Sequence, residues 1–148
     1  MRRSDAEVAL LGAVRSILRL SLQAADQIGT ASVVQLRALA VLADGGECNL
    51  ARLAEGVGVT VSTTSRLVDR LIAGGFVERR RAPHTAREVV ITLTPSGRAT
   101  LERYDQLRMD LLRRSLDVLD DAEIDVALKL LRAVAAVGDP AVDRSPEE

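Results

Sequence analysis

The chain has 148 residues, 47% hydrophobic and 28% charged, the composition of one ordinary globular domain, with or without helical extensions, and not of a disordered chain. Phe76 and Tyr104 are its only aromatic residues, Cys48 its only cysteine and His84 its only histidine; this disfavours a stacking platform for single-stranded nucleic acid and excludes an internal disulfide, a histidine metal cluster and a histidine relay. The net charge of −1 hides an asymmetry, because eight arginines and four acids lie between Leu50 and Arg98, against 12 bases and 17 acids elsewhere. A basic centre in an acidic chain is the outline of a polyanion-binding module with separate scaffolding. A solvated arginine-rich surface would give the same count. The start, Met1-Arg2-Arg3-Ser4-Asp5, reaches an acid too early for a signal peptide, and no run approaching eighteen apolar residues is read in the chain, so a cytoplasmic protein with no membrane partner is expected.

Residues 5–27 carry Val8, Leu11, Val14, Leu18 and Leu22 at spacings of three and four, which predicts a helix. Leu10 and Ile17 widen its apolar face until one partner surface is not enough to cover it. Gly29-Thr30 breaks this helix, Ser32 caps a second one running to about Ala43, and Asp44-Gly45-Gly46 reads as a turn. A short helix is expected from Leu50 to about Gly56, then a tight connection, then Thr60 as the N-cap of a helix from Val61 to Ala73. Gly74-Gly75 ends it. The period then changes to two: Phe76 to Arg81 and Arg87 to Leu93 read as strands, with Val89, Ile91 and Leu93 on one face and residues 82–86 as the hairpin loop. Thr94-Pro95 restarts helix to about Leu119, and Asp120 to Glu123 fits a capping box for a last helix ending at Gly138. The tail from Asp139 reads as frayed.

Helix, sharp turn, helix and two-stranded hairpin is the order of a winged helix-turn-helix. Ala54 is small where two helices approach, Gly58 suits a turn at positive φ, and Leu53, Val57, Val59 and Leu67 supply apolar contacts. Thr64 stands at a buried position where its methyl can pack and its hydroxyl can bond back to the helix. Removing the buried positions leaves Val61, Ser62, Thr63, Ser65, Arg66, Asp69 and Arg70 exposed. Short hydroxyls at a helix N-terminus allow close approach to phosphates and base edges, and Arg66 can bond guanine bidentately. The plainer reading is a polar solvent face with an ion pair between Arg66 and either Asp69 or the neighbours of Arg70.

The segments Leu50-Ala51-Arg52-Leu53-Ala54, Thr63 through Leu71, Gly75-Phe76-Val77-Glu78-Arg79, Pro83 with Arg87, and Leu93-Thr94-Pro95-Ser96-Gly97 resemble the MarR (multiple antibiotic resistance regulator) family of winged-helix transcriptional regulators. The likeness covers roughly residues 5–138. It implies a mainly α fold with a small two-stranded β wing in a single domain over 1–148. Within it, 32–94 would form the DNA-binding lobe, and 5–27 with 95–138 the helices of a homodimer. It implies paired recognition helices on double-stranded DNA at a pseudo-palindromic operator, Ser62, Thr63 and Arg66 in the major groove, and Arg87 in the minor groove. Thr60, Ser65 and Arg70 complete the recognition-helix set, and Arg79, Arg81, His84 and Thr85 the wing set. For Arg79, Arg80 and Arg81, phosphate contacts and a strand-edge charge device stay open as alternatives. His84 is read as a surface residue or a phosphate contact.

A repressor is the expected sign, with a small-molecule effector as the release signal. No catalytic residue, metal site or cofactor is expected, since the chain shows no nucleophile–base pair and no phosphate-cradling glycine loop. A winged helix that binds protein and has no operator is the other reading. Two positions stand apart. Thr85 lies where wings of the family usually carry an acid that holds the arginine two residues on, leaving Glu88 as a substitute. Cys48, beside Gly46, Glu47 and Asn49 with no basic neighbour in sequence, has no evident reason for a lowered pKa.

Overall fold

In a computed structural model, residues 2–82, 84–85 and 88–138 are described. The order is α1 (Arg2–Ile28), α2 (Val33–Gly45), α3 (Leu50–Val57), α4 (Val61–Ala73), β1 (Val77–Arg81), β2 (Val89–Leu93), α5 (Pro95–Leu116) and α6 (Asp121–Val137). This is the predicted order, mainly α with one two-stranded antiparallel sheet. The chain divides between Met109 and Asp110, within α5. Pro83, Arg87 and the tail from Asp139, on which sequence expectations were placed, lie outside the described residues.

In the first unit, capping chemistry sets where helices begin. Ser32 and Gln35 form a reciprocal capping box at α2, the Gln35 N–H donating to Ser32 Oγ at 3.2 Å and the Ser32 N–H to Gln35 Oε1 at 2.7 Å. Asn49 caps α3, accepting from the Arg52 N–H at 2.9 Å, and Thr60 caps α4, accepting from the Thr63 N–H at 3.3 Å. Gly58 closes α3 at φ 84°, a conformation that would strain a residue with a Cβ. Asp44 and Gly45 belong to α2 and not to the predicted turn; the bend falls on Gly46, whose φ is 74°.

Leu36, Leu39, Leu53, Leu71, Val68 and Thr64 are the largest fully buried side chains. They come from α2, α3 and α4, so the helix-turn-helix carries the centre of the core. The last two turns of α1 reach it through Ala24, Ala25 and Ile28. Ser21 is also buried and Leu20 half-buried; the helix before them is exposed, including Val8, Leu11, Val14 and Leu18. Helix α1 is apolar enough on average, and long enough, to cross a membrane by length and composition only, although no unbroken run of eighteen apolar residues occurs in it. An average tolerates charged residues that interrupt an apolar run, here Arg15 and Arg19.

The sheet pairs Val77 with Leu93 through Arg81 with Val89. The predicted face of Val89, Ile91 and Leu93 is not uniform. Ile91 is buried and Leu93 half-buried, but Val89, opposite Arg81 near the hairpin end, is exposed, and Val90 on the other face is buried. A third chain segment joins the sheet: Cys48 donates to the Ile91 carbonyl at 3.2 Å and accepts from the Ile91 N–H at 2.8 Å.

The start of α5 is locked to the end of α4. Thr94 Oγ1 donates to the Gly75 carbonyl at 2.6 Å and accepts from the Gly97 N–H at 3.0 Å, while the Thr94 N–H donates to the Phe76 carbonyl at 3.0 Å. Gly97, Leu101 and Tyr104 are buried, so the first turns of α5 belong to this core. In the second unit α6 begins at the predicted Asp120–Glu123 capping box. None of its residues is buried, and Leu128, Leu130, Leu131 and Val134 are exposed.

A Cβ on Gly97 would collide with the Phe76 carbonyl oxygen and press on Leu93 Cδ2 at 3.2 Å. Gly97→Ala is therefore expected to destabilise the chain by about 2 kcal/mol or more, as overpacking against backbone does. Urea unfolding should show a lowered midpoint at unchanged slope; an unchanged midpoint would mean that α5 can move off Phe76 at no cost.

Candidate nucleic-acid interface

The buried stripe of α4 is Thr64, Leu67, Val68 and Leu71. Helical periodicity then turns Ser62, Thr63, Arg66, Asp69 and Arg70 outward, and all five are exposed. Ser65 is half-buried at the edge of the stripe. Thr64 is wholly buried, its Oγ1 donating to the Thr60 carbonyl at 2.9 Å, which satisfies the polar atom while the methyl packs.

The N-terminus of α4 is a cluster of short hydroxyls. Thr60 Oγ1 lies 2.9 Å from Thr63 Oγ1, to which it donates, and 3.2 Å from Ser62 Oγ. The first-turn N–H groups and three hydroxyls thus converge where the helix dipole is positive, an arrangement suited to an anion.

Arg66 does not pair with Asp69. Asp69 instead accepts from Arg79 Nη2 on β1 at 2.7 Å, tying the exposed face of α4 to the wing. Glu78 pairs with Arg80 along the same strand, as residues two apart on one face can. Arg66, Arg70 and Arg81 make no ion pair among the described residues. The structure therefore separates the predicted cations into Arg79, held by an acid, and Arg66, Arg70 and Arg81, which project into solvent.

At the wing, Ala82 donates to the Glu88 carbonyl at 2.9 Å, Thr85 to the Ala82 carbonyl at 3.4 Å, and Glu88 to the Thr85 carbonyl at 3.3 Å. His84 and Thr85 are exposed. Arg87 lies outside the described residues. The Glu88 carboxylate, read from sequence as a substitute for the acid missing at Thr85, accepts from Asn49 Nδ2 at 3.1 Å and from Thr85 Oγ1 at 3.4 Å.

Cys48 is buried. Burial pushes its thiol pKa up, and Arg52 pulls the other way more weakly. Sequence proximity missed Arg52 as a basic neighbour, which helix α3 brings one turn closer. Burial thus works against thiolate formation at Cys48. No group of three or more histidine, cysteine or acidic side chains suited to a metal ion occurs among the described residues.

Sequence reasoning missed Asn49. An amide immediately before the apolar start of a helix is a capping signal and could have been found. The Asp69–Arg79 pair could not, because ten residues and a chain reversal separate the partners.

This is a winged helix-turn-helix protein: α3 and α4 meet across the Gly58 turn, and the β1–β2 hairpin follows. The MarR family model matches residues 30–88. The chain is 30% identical to a MarR family protein of known structure from Bacillus stearothermophilus, covering 91% of this chain and 95% of that one with a TM-score of 0.75. It is 31% identical to RV1404 from Mycobacterium tuberculosis, over 89% and 91% of the two chains, with a TM-score of 0.78. A curated relative, the uncharacterized transcriptional regulator YfiV of Bacillus subtilis, is 32% identical over 92 residues, 62% of this chain. This match spans 58% of that relative's length. The chain belongs to the MarR family of transcriptional regulators.

Arg79 and Asp69 are both substantially exposed, so their pair is expected to contribute only about 0.2–1 kcal/mol. A double-mutant cycle of Asp69→Ala and Arg79→Ala in urea unfolding should return a coupling in that range, falling with added salt. Strict additivity would show that the pair contributes nothing to the link between wing and helix.

Proposed function

We propose that the chain is a homodimeric, sequence-specific double-stranded DNA-binding repressor, released from a pseudo-palindromic operator by a small molecule. The observation that carries this reading is the outward stripe of α4. A helix anchored in the core along Thr64, Leu67, Val68 and Leu71 presents Ser62, Thr63, Arg66 and Arg70 together, with no ion pair on either arginine among the described residues. In this reading Thr60, Ser62 and Thr63 seat a phosphate at the helix N-terminus. Ser65 and Arg66 reach base edges in the major groove, Arg66 with the fork geometry that guanine O6 and N7 accept. Arg70 and Arg81 contact backbone phosphates. His84, Thr85 and Arg87 form the wing's approach to the minor groove, and Arg79 contributes from its pair with Asp69.

The dimer is supported by two apolar faces considered separately. Val8, Leu11, Val14, Leu18 and Leu22 line exposed α1, and Leu128, Leu131 and Val134 line exposed α6. Faces of this kind are covered in obligate homodimers, whose interfaces bury on the order of 2,000–5,000 Å². Two recognition helices about one helical turn apart tolerate little change in spacing. An effector that alters the spacing therefore weakens binding, with a coupling that is reciprocal between effector and DNA. A bound dimer covers its operator, so repression by occlusion requires no further surface. An open cavity of about 640 Å³ between the end of α1 and the start of α2, lined in part by Leu22, Ala25, Val33 and Val34, is a place for such a molecule. In this reading the protein acts in the cytoplasm.

Two outcomes are expected. Arg66→Ala should weaken binding to a duplex from the gene's own upstream region about tenfold, the worth of one bidentate base contact. Fluorescence anisotropy would read it, and a scrambled duplex should be affected far less. Equal binding of the wild type to both duplexes would instead favour a protein-interaction module. By sedimentation, the chain should be a dimer at micromolar concentration; a monomer there would overturn the assembly.

A further inference from the structure

We infer that Glu88 is a positioning residue that clasps the wing to the start of α3 and so holds it in register with the recognition helix. The inference rests on the DNA-binding reading above and extends it to a side chain that need not touch the duplex.

The two carboxylate oxygens of Glu88 take donors from two different parts of the fold. Oε1 accepts from Asn49 Nδ2 at 3.1 Å, and Oε2 accepts from Thr85 Oγ1 at 3.4 Å. Asn49 is fixed at its other end, where Oδ1 accepts from the Arg52 N–H at 2.9 Å as the N-cap of α3. One amide therefore joins the first turn of α3 to the wing carboxylate. The backbone is bridged beside it: Cys48 exchanges hydrogen bonds with Ile91 at 3.2 and 2.8 Å, and the Glu88 carbonyl accepts from Ala82 at 2.9 Å to close the hairpin loop. Glu88 thus sits where the loop closes, one side-chain length from α3. Because α3 and α4 share the buried contacts of Leu53, Leu67 and Val68, a wing fastened to α3 is fastened to the recognition helix.

Charge gives the inference a sign. An exposed carboxylate beside a DNA-facing loop repels phosphate, so deleting a merely superficial acid tightens binding to every duplex. Deleting a positioning acid has the opposite effect on the operator, because a loosened wing must be ordered on binding, at a cost in conformational entropy. A scrambled duplex makes no contacts that depend on wing register.

The test compares wild type, Glu88→Ala and Glu88→Gln in the full chain. Anisotropy is measured with the upstream duplex and a scrambled duplex, alongside amide hydrogen exchange without DNA. Glu88→Ala is expected to lower the preference for the upstream duplex about fivefold, in keeping with exposed charge-assisted hydrogen bonds. Binding to the scrambled duplex should stay unchanged or tighten. Exchange should quicken at the Arg52 and Ala82 amides together. Glu88→Gln, which keeps one acceptor and the shape, should fall between and covers the case in which the alanine variant fails to fold. Equal tightening toward both duplexes, or unchanged exchange at Arg52 and Ala82, would overturn the clasp. Should the wild type bind both duplexes alike, the operator reading fails, and the exchange rates alone decide the clasp.

Discussion

The burial of Thr64, Leu67, Val68 and Leu71 along one side of α4 is the constraint on which the rest of the interface depends. A thirteen-residue helix has little stability alone in water; here the core supplies it and also fixes its rotation about its own axis. Once those four side chains are inside, the outward direction of Ser62, Arg66 and Arg70 follows from the 3.6-residue period. Thr64 strengthens the constraint. Its hydroxyl bonds the Thr60 carbonyl at 2.9 Å, so a polar atom enters the core without being left unsatisfied, and it does so in the turn that carries the N-cap. The hydroxyl cluster at the helix start and the buried stripe are thus two consequences of one short segment.

The wing has too few residues to hold itself. Two five-residue strands are marginal in isolation, and this hairpin is stabilised from three directions. Ile91 reaches the core and bridges Cys48, Thr94 bonds the turn that ends α4, and polar side chains join the wing to the helices at Asp69–Arg79 and Asn49–Glu88. The apolar and backbone contacts are at the base and middle of the hairpin, and Arg79, opposite Ile91, places one polar contact at the same rung. The polar ones are exposed, individually weak and screened by salt.

The elements were legible in the sequence because their boundaries are chemical. Ser32, Thr60 and Asp120 stand where helices start, Gly58 where α3 must turn at positive φ, and Thr94-Pro95 where α5 resumes. The outward face of α4 was legible too, since periodicity alone separates it from the buried stripe. What the sequence did not disclose is which charged groups meet. The sequence leaves Arg79 open between a phosphate contact and a strand-edge charge device; in the structure it lies 2.7 Å from Asp69. Arg66 and Asp69, three apart on one helix, were the natural local pair and do not form it. Such pairings depend on how β1 lies beside α4, a tertiary outcome that no local period encodes. The burial of Val90 beside Ile91 was missed for a related reason. Strict alternation assumes one dry face, and this strand has buried side chains on both.

The same pairings change what the basic centre means. Eight arginines between Leu50 and Arg98 suggest a diffuse positive surface, but neighbouring acids do not cancel them evenly. Asp69 holds Arg79 and Glu78 holds Arg80, while the Glu88 carboxylate takes neutral donors from Asn49 and Thr85. A close pair presents mainly a dipole at a distance, whereas an unpaired guanidinium presents its full charge and all five donors. Among the described residues, Arg66 and Arg70 on α4 and Arg81 on β1 therefore meet a polyanion at full charge, whereas Arg79 and Arg80 are each held by an acid. Acids in such a region would ordinarily oppose binding. Here two of them, Asp69 and Glu88, join the wing to the helices through exposed contacts. Net charge alone would have missed this, because it counts Asp69 and Glu88 only as subtractions.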